Sequence, residues 1–262
     1  MVQPLKEQYA SSKNLEARMS IYQYDIDPKP LSKWLTEQIT PENNVKIIEL
    51  GCGNGNLWKD LKDSFYNCDI LLSDLSEGML ERAKENFGEN TFNYEKIDFH
   101  NIPHLDKTFD VVISNHNLYH ALDLNKVLTE ISRVLKDDGV FYSTTNSAEH
   151  LSNLRELLDL PDDVKWANSV LTSAFGAETG IDILSNHFPH VEQRFYQSEL
   201  HINDFAPIAN YFRSFSNERF RQNLEQSATK IERKFENEIR QHGYYKIQTK
   251  GCLFICKKQL KQ

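Results

Sequence analysis

The chain has 262 residues, 39% hydrophobic and 26% charged, enough to bury a substantial core as one large α/β domain or two small ones. Its 38 acidic against 30 basic residues give a formal charge of −8, which argues against a surface built for nucleic acid or anionic lipid. No apolar run approaches the roughly 20 residues that span a bilayer, "MVQPLKEQYASSKNLEARMS" lacks a signal peptide's apolar core, and the four cysteines form no CxxC pair or zinc-spaced set. A cytoplasmic protein without metal or membrane contact is expected.

Residues 1–40 read as helical, "PLSKWLTEQI" most clearly. From about residue 45 the pattern alternates. "VKIIEL", "DILLSD", "FNYEKID", "FDVVISN" and "GVFYSTT" are short apolar runs with polar ends, which suits strands of a parallel sheet covered on both faces. Between them, "SEGMLERAKENFG" places Ser76 as N-cap and Gly88 as a stop. "LNKVLTEISRVLKDDG" sets Val127, Leu128, Ile131, Val134 and Leu135 on one helical face before an Asp-Gly turn. Residues 148–188 and 203–242 read as mostly helical insertions. Two further strands are expected in "HVEQRFYQSELHI" and "YYKIQTKGCLFICKK", and Lys257, Lys258 and Lys261 as a solvated tail. The alternation predicts a doubly wound α/β sheet. The simplest arrangement is a core over 41–262, with residues 1–40 and the two insertions folded over its ligand-binding edge.

In such a sheet, ligands sit beyond the carboxyl ends of the strands. The loop "GCGNG" after the first strand carries Gly51, Gly53 and Gly55 on alternate positions, with Glu49 two residues ahead. The dinucleotide fingerprint GxGxxG would need glycine where Asn56 stands, and the phosphate loop would need a following Gly-Lys-Ser/Thr. Neither is met. Instead, Asp74, Asp98 and Asn115 join Glu49 at the carboxyl ends of four successive strands. Asp74 is placed to accept both hydroxyls of a ribose, and Asp98 with Phe99 suits an exocyclic amine and a flat purine face.

"IIELGCGNGNLW", "LLSDLSEGML", "YEKIDFHNIPHLDKTFDVVISNHNLYHALD" and "VLTEISRVLKDDGVFYSTT" resemble the successive motifs of class I S-adenosylmethionine-dependent methyltransferases. "SSKNLEARMSIY" and "FGAETGIDILSNHFPHVEQRFY" resemble a bacterial branch of that superfamily, so the likeness covers nearly the whole chain. It implies a Rossmann-like seven-stranded sheet with extra helices as a lid, and S-adenosyl-L-methionine as cofactor. By motif, Glu49 and the Gly51–Gly55 loop, Cys52 included, would hold the methionine moiety. Asp74 would take the ribose, Leu75 and Met79 would flank the adenine, Asp98 and Phe99 would read its edge, and Asn115 would lie under the sulfonium. Arg18 is matched to the cofactor carboxylate, with a surface arginine as the plain alternative; Tyr9 and Tyr24 could close over the methyl group or simply pack.

"SNHNLYHALD" supplies His116, Tyr119 and His120 as candidates for a base, His116 and His120 sharing a face if the turn is helical. No third ligand completes a metal site there. Phe175, Trp166, Tyr211, Phe212 and Phe215 would roof an acceptor pocket suited to a small, partly apolar molecule, in a monomer or homodimer. A regulatory cofactor-binding protein and a nicotinamide oxidoreductase are the competing functions, the second disfavoured by Asn56 and Glu49.

Overall fold

The computed structural model describes residues 17–27, 29, 31–39, 44–65, 67–158, 167–215 and 218–259. Tyr9, Trp166 and Lys261 lie outside them.

Seven strands form one sheet: β1 (Lys46–Leu50), β2 (Asp69–Asp74), β3 (Asn93–Lys96), β4 (Phe109–Asn115), β5 (Leu135–Asn146), β6 (His190–Ile202) and β7 (Tyr245–Lys257). Their order across the sheet is β3-β2-β1-β4-β5-β7-β6. The first five run parallel, and β7 is inserted antiparallel between β5 and β6. The order therefore reverses between β1 and β4, where the crevice of a doubly wound sheet opens. Every strand expected from the apolar runs is present. β1 is buried along Ile47–Leu50, as a strand covered on both faces requires.

Nine α-helices are described: α1 (Leu31–Gln38), α2 (Trp58–Leu61), α3 (Glu77–Phe87), α4 (Leu124–Val134), α5 (Ser152–Leu158), α6 (Ala167–Ala174), α7 (Gly180–Ser185), α8 (Phe205–Arg213) and α9 (Glu218–His242). α4 starts on Asp123, whose side chain accepts from the Lys126 amide, and buries Val127, Leu128, Ile131 and Val134. Its neighbour α3 starts otherwise. Ser76 makes no side-chain cap, and its own amide is held by Asp74 Oδ1 at 2.8 Å.

Three apolar clusters hold the layers. One lies under α4 and α7, and a second joins α1 and α2 to β1 and β2. The third packs Ile21, α5, α8 and α9 against the ends of β6 and β7, through Leu200, Ile202, Tyr245 and Ile247. Leu35 of α1 and Ile39 just after it belong to the second cluster, while Leu31, Ser32 and Leu35 also line the cavity described below.

Two local expectations are corrected. Asp138-Gly139 is not a turn between helix and strand: β5 begins at Leu135 directly after α4, and a register shift opposite Phe109 and Val111 absorbs the pair. A side chain at Gly139 would meet the Asp110 carbonyl at 2.8 Å. Nor are Lys257 and Lys258 a free tail. Lys257 closes β7 against Val140, and the Lys258 ammonium donates to the Leu135 carbonyl at 2.6 Å.

Candidate active site

A cavity of about 520 Å³ opens at the carboxyl ends of β1, β2 and β4. One half is built by the loop after β1. Gly51, Gly53 and Gly55 all have positive φ (70°, 55° and 78°), a region other residues adopt only with strain. A Cβ on Gly51 would collide with the Asn117 amide, whereas one on Gly53 would meet nothing within 4 Å. The loop is thus packed at its first glycine and open at its second.

Asp74 ends β2 on the cavity wall, its Oδ2 accepting from Gly53 N at 2.9 Å and its Oδ1 from Ser76 N at 2.8 Å. Burial raises its pKa, and these backbone donors work against that rise. Cys52, Leu75, Met79, Asp98, Phe99 and Asn115 line the same wall. Burial acts upward on the Asp98 carboxyl, but bonds from the His100 amide (3.0 Å) and Nδ1 (2.7 Å) hold it below its ordinary value. Asn115 Oδ1 accepts from the Thr144 hydroxyl at 2.5 Å.

Glu49 and Gly55 differ from expectation in lying behind the loop, away from the cavity wall. Gly55 is buried against Phe87, whose ring a Cβ would reach at 2.7 Å. Glu49 is 1% exposed and accepts from Trp58 Nε1 at 2.7 Å. Burial pushes its carboxyl up to about 8, the Trp58 bond opposing the rise and nearby Asp74 adding to it.

The other half is aromatic and basic. Arg18, Tyr22, His116, Tyr119, His120, His150, Tyr211 and Phe215 line it, and Arg18 is the sole Lys or Arg among the described lining residues. Arg18 also sits over the Phe215 ring, 5.9 Å from its centroid. Burial pushes both His116 and His120 down to about 4, helped at His120 by Arg18. They do not share a helical face. His116 has φ 52° and only Leu118–His120 forms a 3-10 turn, so the bend after β4 brings both to the cavity. Among the described residues no cluster of three metal-ligating side chains occurs.

The expected roof is met in part. Tyr211 and Phe215 line the cavity, while Phe212 is packed in the third cluster and Phe175 lies beneath α7 against Phe254. Tyr24 packs against the third cluster, and Tyr22, two residues earlier, takes the cavity position. Asn117, inside the stretch that supplied His116 and His120, and His150, outside any motif, were not among the sequence candidates. Asn117 spans the crevice, donating to the Leu50 carbonyl and to that of Gly51 at 3.4 Å, and receives the Ser114 hydroxyl.

Residues 48–143 match a family model described as a methyltransferase domain. The chain is 30% identical over 134 residues to a putative methyltransferase, YrhH, of Bacillus subtilis, covering 50% of this chain and 74% of that one. It is 31% identical over 104 residues to a malonyl-[acyl-carrier protein] O-methyltransferase of Acetivibrio thermocellus, covering 40% of this chain and only 36% of the length of that relative. Among solved structures, phosphoethanolamine N-methyltransferase 2 of Haemonchus contortus, crystallised with phosphomonomethylethanolamine and S-adenosylhomocysteine, superposes with a TM-score of 0.60. Identity is 17%, over 97% of this chain and 59% of that one.

Proposed function

The chain belongs to the class I S-adenosylmethionine-dependent methyltransferases, and from that premise we propose that it transfers a methyl group from S-adenosylmethionine to a small-molecule oxygen, nitrogen or sulfur nucleophile. The observation that carries this reading is Asp74, a half-buried carboxylate pinned by two backbone amides on the wall of a cavity with two chemically distinct halves. With one lone pair of each oxygen engaged, the carboxylate is held ready to accept from a ribose diol.

The neighbouring residues fit the rest of the cofactor. Leu75, Met79 and Phe99 offer apolar faces for a purine beside Asp98. Asn56 Oδ1 is a buried acceptor with no partner among the described residues, next to a loop open at Gly53, which suits an ammonium donor. Glu49, protonated by its burial in the free protein, would ionise behind the loop when a cationic ligand binds and then supply negative potential, and Arg18 would reach the carboxylate from the opposite half. S-adenosylmethionine, when bound, supplies an electrophilic methyl on a sulfonium. The chain's part is to align the acceptor with that methyl and to exclude water. Asn115 would floor the transfer site. His116 or His120, neutral at physiological pH, would accept a proton from a hydroxyl or ammonium acceptor, with Tyr119 beside them. Residues 17–27 and helices α6 and α8 would close the acceptor side as a lid.

Isothermal titration tests the assignment. S-adenosylhomocysteine should bind saturably, and NAD and NADP should not. Tight nicotinamide binding would overturn it, and cofactor binding without turnover across a broad acceptor panel would favour a regulatory protein.

A further inference from the structure

Tyr22 and His150 face the same cavity as a pair, 128 positions apart in sequence, and no step above uses them. His150 is 5% exposed, and its Nδ1 accepts from the Lys250 amide at 3.0 Å. That nitrogen therefore carries a lone pair. Burial, with His116 nearby, pushes the imidazole down to about 3, so the neutral ring holds its single proton on Nε2. Nε2 lies 2.8 Å from Tyr22 Oη and donates to it. The two rings stack at 6.1 Å with an interplanar angle of 20°, which fixes the geometry.

The consequence falls on Tyr22. Its oxygen already accepts from His150, so its own hydroxyl proton is left to donate elsewhere. Burial first, then Tyr211 and Tyr119, keep that phenol well above its ordinary pKa, so the proton stays on. Arg18 and Asp25 are the charged groups acting on it. Asp25 is already engaged by the Asp27 amide at 3.0 Å and by the Ser198 hydroxyl. A second hydroxyl adjoins the pair: Thr249, also on the cavity wall, has a buried Oγ1 with no partner among the described residues. Its successor Lys250 supplies the amide that fixes His150.

We propose that the Tyr22 hydroxyl, oriented by His150, donates to a carboxylate oxygen of the methyl acceptor, so the acceptor is an organic acid rather than an organic amine. This rests on the proposed methyl transfer and names its substrate class. His150 is a positioning residue, and Tyr22 the group that touches the acceptor. With Arg18 committed to the cofactor and Asp25 held by the Asp27 amide and the Ser198 hydroxyl, the groups left at this place are the donor hydroxyls of Tyr22 and Thr249, which match a carboxylate oxygen better than an ammonium group.

The test uses the full chain loaded with S-adenosylhomocysteine, titrated with benzoate and with benzylamine as probes. Benzoate should bind saturably and benzylamine should not. Tyr22→Phe should weaken benzoate about tenfold while S-adenosylhomocysteine affinity stays at the wild-type value. His150→Gln retains an amide donor for Tyr22 and should keep most benzoate affinity; His150→Phe should lose it as Tyr22→Phe does. In nitrogen NMR, His150 of the wild type should show the Nε2-protonated tautomer. Absence of benzoate binding, preference for benzylamine, an unchanged benzoate affinity in Tyr22→Phe, or a loss of S-adenosylhomocysteine affinity in that variant would each overturn the proposal. Failure of the wild type to bind S-adenosylhomocysteine would instead sink the methyltransferase reading beneath it.

Discussion

At the residue scale, the two glycines that begin the loop have separable roles. Alanine at Gly51 must adopt a strained φ and push aside the Asn117 amide that ties β1 to the crevice. It should cost stability, on the order of 1–3 kcal/mol from the backbone alone. Gly53→Ala carries the same kind of backbone strain at φ 55° but displaces no neighbour, so it should cost less stability than Gly51→Ala while impairing S-adenosylhomocysteine binding on the cavity side. Urea unfolding and calorimetric titration of both variants separate the effects. Asp74→Ala should lower cofactor affinity tenfold to a hundredfold, because hydrogen bonds to a charged group are worth roughly 1.5–3 kcal/mol; unchanged affinity in a folded variant would remove Asp74 from the ribose. Glu49 gives a proton signal. With its carboxyl raised to about 8, it is mostly protonated at pH 7, and a cationic ligand beside the loop should draw the proton off. Titration at pH 7 in buffers of differing ionisation enthalpy should show proton release that disappears in Glu49→Gln. Asp74 and Asn115 were legible in the sequence because each closes an apolar run that forms a strand, β2 or β4; Asp98, expected at the end of β3, lies two residues past it, since β3 stops at Lys96. Tyr22 and His150 were not, since only the folded chain brings together residues so far apart.

At the scale of elements, the strands and most helices could be read from periodicity, since the buried sheet demands it. The segment before α1 could not. It is held by specific contacts: Asp25 bridges to Leu200, the Ile26 amide donates to the Glu199 carbonyl at 3.0 Å, and Ser198 donates to Asp25. These contacts, with Ile21 packed in the third cluster and the Tyr22–His150 bond, all lie on the β6 side of the sheet, so the segment should open without unfolding the central strands. Hydrogen exchange over residues 17–27 should slow when S-adenosylhomocysteine binds, and Ser198→Ala should quicken it in the free protein. Arg18→Ala should weaken cofactor binding while leaving the unfolding midpoint nearly unchanged. Equal exchange with and without ligand, together with wild-type affinity in Arg18→Ala, would show that this segment is packing and not a lid.

For the whole molecule, the buried histidines set a pH limit. His116 and His150 have folded pKa values below the unfolded value of about 6.5, at about 4 and about 3. Between those limits the unfolded chain binds protons that the folded chain refuses, so their contribution is complete above pH 6.5 and is lost as pH falls toward 3–4. Glu49 has the opposite sign, since its raised carboxyl disfavours the folded state as pH climbs from about 4.5 toward 8. Urea midpoints should therefore fall below pH 6, less steeply in His150→Gln, and Glu49→Gln should gain on the wild type as pH rises.

The antiparallel pair β6 and β7 is longer than the sheet it completes. β5 meets β7 only from Gly251 onward, so residues 197–202 and 245–250 continue as a two-stranded overhang. Such a ribbon is a cantilever: anchored at one end, twisting more freely than a sheet interior, and loaded at its tip by α5, α8 and α9. Its root carries Tyr196, Thr249 and Gly251 on the cavity wall, so a displacement of the tip would be passed to the acceptor side rather than to the glycine loop on the other half. A single-residue insertion between Gln197 and Leu200 would turn Leu200 and Ile202 outward and unload the beam. This is a place where the choice of acceptor could drift over generations without disturbing the hold on the cofactor.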